Sequence, residues 1–139
     1  MSVYKRFRKE TNLQFLITGL ELQINLTKFI MSEKHVPKKY RLLIGAPIIA
    51  KVDEIIDNLT FANAIFPSNE ELLQIRNKYQ TSAIANCYQL HNKLIRLEKC
   101  VDSVKVNNLS NIIELLNNEV GLIKRWKKSD KVLKKETSE

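Results

Sequence analysis

Two histidines, two cysteines and one acidic cluster are the side chains of this sequence suited to metal ligation or proton transfer, and their spacing joins none of them. His35 lies in the polar stretch SEKHVPKKY (32 to 40), and His91 stands beside Asn92 within an apolar-periodic segment. There is no HExxH, no His/Cys run at zinc spacing, no Glu-x-x-His pair and no glycine-rich phosphate loop. Asp53, Glu54 and Asp57 cluster, with Asp53 and Asp57 at i, i+4, but a solvated helix face accounts for them without a metal. Cys87 and Cys100 fall thirteen residues apart on one helical stretch, too far to bond to each other, and are expected to be buried, reduced thiols. The expectation is a non-enzyme, with no catalytic residues, no cofactor and no metal.

Chemistry of another kind is concentrated near the C-terminus. The segment LIKRWKKSDKVLKK (122 to 135) places Lys124, Arg125, Lys127, Lys128, Lys131, Lys134 and Lys135 around the single tryptophan, Trp126. Cations so placed can grip phosphates while an indole stacks on an unpaired base. Trp126 also stands three residues after Ile123, so it equally continues a core stripe with cations snorkelling around it. The net charge is +8. Residues 1 to 41 carry nine Lys/Arg against three Asp/Glu, residues 42 to 123 seven against nine, and residues 124 to 139 seven against three. The positive excess sits at the chain ends, where it serves either an acidic partner or solubility alone.

Helices must carry these groups. With 139 residues, 44% hydrophobic, and only three Gly and three Pro, the chain fits one domain of few, long elements, spanning 1–139 with a basic arm (1–10) and a polar tail (129–139). Leu13, Leu16, Ile17, Leu20 and Ile24 recur at helical spacing, with Phe15, Leu22, Leu26 and Phe29 as additional apolar surface. A second stripe runs Ile48, Ile49, Val52, Ile55, Ile56, Leu59, Ala62 and Phe66. Its helix starts either at Pro47 or near Lys38 with a kink at the proline, the kinked form being preferred. Ser68 and Glu71 predict a capping box opening a third helix, whose stripe is Leu72, Ile75, Tyr79, Ala83, Cys87, Leu90, Leu94, Leu97 and Val101. The fourth stripe is Leu109, Ile112, Ile113, Leu116, Val120 and Ile123, with Asn108 as its N-cap. The fold expected is all-α, an up-down-up-down four-helix bundle. That topology brings the start of helix 1 to the end of helix 4, so that Lys5, Arg6, Arg8 and Lys9 join the C-terminal cations. No apolar run reaches eighteen residues and no signal peptide is evident, so a cytoplasmic protein with no membrane partner is expected.

The segments VPKKY, ANAIFPSNEEL and NNEVGLIKRWKKSD, within this order of helices, resemble the accessory variability determinant (Avd) proteins of diversity-generating retroelements. These are four-helix proteins related to those encoded in ribosomal-RNA intervening sequences. The likeness extends from Tyr4 to Asp130. Glu119 and Gly121 match the family's Glu-x-Gly, and Trp126 with Lys124, Arg125, Lys127 and Lys128 match its tryptophan and basic tail. Lys124 and Arg125 stand where the family has a glycine pair, one residue closer in spacing. The resemblance implies a non-catalytic accessory protein that binds a reverse transcriptase and template RNA, or an RNA/DNA intermediate, in support of mutagenic retrohoming. It also implies a ring-like homo-oligomer of five subunits, which would bury Phe15, Leu22, Leu26 and Phe29 between them. The nucleic-acid contacts expected are Lys5, Arg6, Arg8, Lys9, Lys124, Arg125, Trp126, Lys127 and Lys128, with Lys38, Lys39 and Arg41 as a further basic group. The rivals are a purely protein-binding bundle docked through helix 1, and an intervening-sequence-type protein with no nucleic-acid role.

Overall fold

The computed structural model describes residues 13–134. Four α-helices account for most of them: α1 (Gln14–Met31), α2 (Ala46–Ala64), α3 (Glu70–Cys100) and α4 (Val106–Ser129). No strand occurs among the described residues. Each helix packs on two neighbours, α1 on α2 and α4, α3 on α2 and α4, which makes a four-helix bundle with one shared core. No described helix is long and apolar enough to cross a membrane.

Pro47 shapes the entry to α2. The helical path begins at Lys38 with a 3-10 turn to Tyr40, passes through a π-helical turn at Arg41–Gly45, and becomes α at Ala46. A proline has no N–H to give and its ring crowds the carbonyl four residues back, so the widened turn relieves a clash that a regular helix would meet. That carbonyl, Leu43 O, takes a hydrogen bond from Arg96 Nη2 of α3 at 3.4 Å instead. Both sequence alternatives are therefore half right: helical backbone starts at Lys38, regular α-helix only at the proline.

The caps differ from expectation. Asn69, not Ser68, is the N-cap of α3, its Oδ1 accepting from the Leu72 amide at 2.8 Å. Asn108 lies inside α4 at its third residue and reaches back to accept from the Lys105 amide at 3.0 Å. In the first turns of α3, Leu73 and Gln80 are buried and Arg76 nearly so, in place of Leu72, Ile75 and Tyr79, of which Tyr79 is half-buried against the core; Ala83, Cys87, Leu90, Leu94 and Leu97 then follow as expected. Cys87 is buried but Cys100 is exposed, correcting the expectation for the second thiol.

On α1 the expected core stripe holds only at its start, where Leu13 is buried and Leu16 packs half-buried against the core; beyond them the two faces are exchanged. Phe15, Leu22, Leu26 and Phe29 are core residues, Leu22 and Leu26 with no exposed surface, so they cannot form an interface between subunits. Ile17, Leu20 and Ile24 are the exposed ones. The helix is apolar around most of its circumference, and spacing alone does not choose between faces. The choice falls to size: the buried face carries both phenylalanines and also Gly19, where a Cβ would stand 2.6 Å from Glu119 Oε2 and 3.0 Å from Ile56 Cδ1. Hydrophobic bulk at both ends and the narrowest residue in the middle seat α1 against α4.

Leu22→Ala should lower unfolding free energy by about 2–5 kcal/mol, and Leu20→Ala by less than about 1 kcal/mol, in urea denaturation followed by circular dichroism. Equal losses at the two positions would contradict the face assigned to α1.

Candidate nucleic-acid interface

The end of α4 is built around an indole that faces inward. Trp126 is 5% exposed and stacks on Phe15 of α1, ring centroids 3.8 Å apart and planes 10° from parallel. Its other neighbour is the guanidinium of Arg76, 5.0 Å from the ring centroid. The packing reading of Trp126 holds, and its assignment as a base-stacking contact is corrected: a ring sandwiched between α1 and α3 has no free face.

Arg76 occupies a core position of α3 and ties the chain together at this end. Nε and Nη2 bind the two carboxylate oxygens of Asp130 at 2.8 and 3.1 Å, and Nη1 donates to Ile65 O at 2.8 Å. Gln80 Nε2 donates to Asp130 Oδ2 at 2.7 Å. The arginine thus joins the exit of α2, the start of α3 and the end of α4 in one bidentate, nearly buried pair. Beyond it Leu133 N donates to Pro67 O at 2.8 Å, laying the chain after α4 over the α2–α3 connection.

With the tryptophan and the aspartate turned inward, the cations around them face outward. Lys124, Arg125, Lys128, Lys131 and Lys134 are exposed, while Lys127 is half-buried. Among the described residues none of these six makes an ion pair, and Asp130, the only carboxylate of residues 122–134, is held by Arg76. Lys124 Nζ lies 5.4 Å over the ring of Tyr88 on α3, and Tyr88 is half exposed. Arg125 lies on the other flank. There Gln14, Thr18, Asn117, Asn118, Gly121, Leu122 and Arg125 line a polar hollow of about 350 Å³ between α1 and α4. Cations on both flanks can meet phosphates, and Tyr88, rather than Trp126, offers an exposed ring beside them.

The other predicted contacts do not gather here. Lys5, Arg6, Arg8 and Lys9 lie outside the described residues. Lys38 and Lys39 are exposed at the opposite end of the bundle, where α1 turns into α2. Arg41 is committed within the chain: it pairs with Glu33 at 3.2 Å and donates to Met31 O and Val36 O. The sequence-derived set is therefore two basic groups at opposite poles. His35 stacks on Phe29 and its carbonyl accepts from Ser103 Oγ, a structural role in the connection. Asp53 accepts from Gln23 Nε2 and Glu54 pairs with Lys51 on the solvated face of α2. Among the described residues no group of three or more His, Cys, Asp and Glu is placed to hold a metal ion.

One buried ionisable group had not been foreseen. Glu119 takes the core position that the sequence pattern assigned to Val120, has no exposed surface, and neither carboxylate oxygen has a hydrogen-bond partner within the described residues. Desolvation pushes its pKa from 4.5 up to about 8. Burial, and then the charge of Glu119, pushes the Cys87 thiol up to about 12, so it stays protonated. The helix approach that the Glu-x-Gly motif suggests is made by Glu119 against Gly19; at Gly121 an added Cβ would meet only Arg125 of the same helix, at 3.4 Å. The signal available in the sequence was spacing: Glu119 falls three residues after Leu116 and four before Ile123.

Comparison with protein-family models, with curated proteins and with solved structures finds no match.

Because the folded chain keeps the Glu119 proton from pH 4.5 to about 8 while the unfolded chain releases it, stability should fall as pH rises through that window and level off above it. Glu119→Gln should flatten the fall, being more stable than the parent at pH 8 and converging with it near pH 4.5, by thermal denaturation. A parent with no slope in that window would show the carboxylate to be solvated.

Proposed function

We propose that the chain is a non-catalytic accessory protein of a diversity-generating retroelement, which holds template RNA or an RNA/DNA intermediate beside a reverse transcriptase. The observation that carries the nucleic-acid part is the exposed cation cluster on the last turns of α4, none of it ion-paired among the described residues, with Asp130, the single carboxylate of residues 122–134, held by Arg76. Lys124 and Arg125 reach phosphates on the two flanks of α4, and Lys128, Lys131 and Lys134 extend the contact along the following chain. Tyr88 supplies a face for one unpaired base. The polar hollow beside Arg125 is large enough for a phosphate or a ribose hydroxyl. Contacts of this kind set position and carry no base code, so the template is selected by its shape or by the polymerase. The assignment to a retroelement rests on the resemblance of VPKKY, ANAIFPSNEEL and NNEVGLIKRWKKSD to the Avd proteins.

The accessory role includes self-association. The core takes Phe15, Leu22, Leu26 and Phe29, which leaves Ile17, Leu20 and Ile24 as the apolar stripe of α1 available to a second subunit. A homo-oligomer, five-membered as in the Avd proteins, closes through this stripe.

Charge reversal of Lys124, Arg125 and Lys128 to Glu should weaken binding of a structured RNA and flatten the dependence of log affinity on log salt, by about three of its units for three lost phosphate contacts. Helicity should not change. Unaltered affinity and slope would remove the end of α4 as the site. Light scattering at moderate salt should give a concentration-independent multiple of 16.2 kDa, and Ile24→Lys should return the mass to one subunit. A parent chain of monomer mass would end the assembly part while leaving the RNA surface to its own test.

A further inference from the structure

The pole opposite the α4 cations joins a basic excess to the most exposed apolar side chains of the described residues, whereas at the α4 pole Phe66, Val132 and Leu133 are exposed to a lesser degree, 45, 39 and 40%. Leu42, Leu43, Met31 and Val106, at 80, 71, 68 and 67% exposure, are the four most exposed large apolar residues among those described. All four stand at the same end: Met31 closes α1, Leu42 and Leu43 belong to the π-helical turn before α2, and Val106 opens α4. Internal contacts fix that end as one unit. Arg41 Nη2 donates to Met31 O at 3.1 Å, Arg96 Nη2 to Leu43 O at 3.4 Å, and Ser103 Oγ to His35 O at 2.7 Å.

The same end is basic. Residues 31–43 and 95–106 carry seven Lys/Arg against Glu33, Glu98 and Asp102, an excess of four. Two of the acids already have partners, Glu33 with Arg41 and Glu98 with Lys99 at 3.9 Å. Lys34, Lys38, Lys39, Lys105 and Arg96 are exposed. Met31, Leu42 and Leu43 stand out from the helix ends, Val106 stands at the rim of an apolar groove between α3 and α4 with Leu94, Ile95, Leu109 and Ile113, and the four come from three separate segments. A polypeptide partner would need a matching pocket for each of them. A lipid interface needs none, because protruding leucines enter the boundary between headgroups and acyl chains while long lysine side chains reach the headgroup phosphates.

We infer that this pole is a peripheral docking surface for an anionic lipid bilayer, with Leu42, Leu43, Met31 and Val106 inserted and Lys34, Lys38, Lys39, Lys105 and Arg96 on the headgroups. The bundle then stands end-on, and its α4 cations point away from the membrane. No described helix spans the bilayer, and the surface is independent of the nucleic-acid reading of α4.

The test is cosedimentation of the full chain with vesicles of phosphatidylcholine alone and of phosphatidylcholine with phosphatidylserine. Binding is expected to the second only. Leu42→Ser with Leu43→Ser should weaken it at least roughly tenfold while circular dichroism stays unchanged, because neither side chain is in the core. Lys38→Glu with Lys39→Glu should abolish it. Reversal of Lys124, Arg125 and Lys128 should leave it within roughly twofold, since those cations are a bundle length away and beyond the screening distance. Three results overturn the proposal. The first is failure to sediment with either vesicle, and the second is equal loss from reversal at the two poles, which is what net charge alone would give. The third is binding of a synthetic amphipathic helix of leucine and glutamate, but of neither vesicle, which would make the pole a protein-docking surface.

Discussion

The Arg76 guanidinium, pressed against the face of Trp126 and forked onto Asp130, is the interaction on which the α4 end of this bundle depends. It satisfies the carbonyl of Ile65 where α2 stops, and it neutralises the one carboxylate among the cations of α4. It also supplies one side of the slot for the indole, whose other side is Phe15 of α1. An arginine at a core position is tolerated only when its charge is paired and its donors are used, and breaking such a pair costs about 3–5 kcal/mol. Four elements meet there because each contributes one part of that satisfaction. The basic surface outside exists because the groups that would neutralise or bury it are already engaged inside.

The helical order, the lengths and most of the core of α2, α3 and α4 were legible, because in those helices polar residues mark the outer face and the apolar period has one solution. In α1 it has two. Eleven residues between Leu13 and Met31 are large and apolar, and the period of 3.6 is satisfied on either side. What decides is the match of Gly19 to Glu119 across the α1–α4 contact, a long-range complementarity of size that no local pattern contains. The same kind of reason explains the shift at the start of α3. Leu72, Ile75 and Tyr79 look like core by hydropathy, yet Leu73 and Gln80 are buried and Arg76 nearly so, because Asp130, some fifty residues later, makes two polar side chains at home there.

The candidate site was legible in composition and illegible in orientation. A run of cations around a tryptophan announces a basic helix end, but whether an aromatic stacks on a base or on its own core depends on which way one residue in a turn faces. The step of three residues from Ile123 to Trp126 continues the buried stripe, and Phe15 awaits the indole there. Grouping the cations by sequence likewise joined Lys38 and Lys39 to a surface at the far pole, and included Arg41, which the connection needs for itself.

The separation of those two groups bears on how the molecule can be used. Both poles carry groups of exposed cations, so a polyanion approaching from solution is drawn to the ends. The poles then part company by their apolar content. At the α4 end the indole is sequestered, and Tyr88, Phe66, Val132 and Leu133 are each no more than half exposed among the cations, a combination suited to flexible phosphate chains that slide and exchange. At the far end the apolar side chains are the most exposed of the described residues, a combination that favours surfaces able to remove them from water. The apolar flank of α1 lies between the poles and carries neither signature, so a contact made there by a second subunit leaves both of them open.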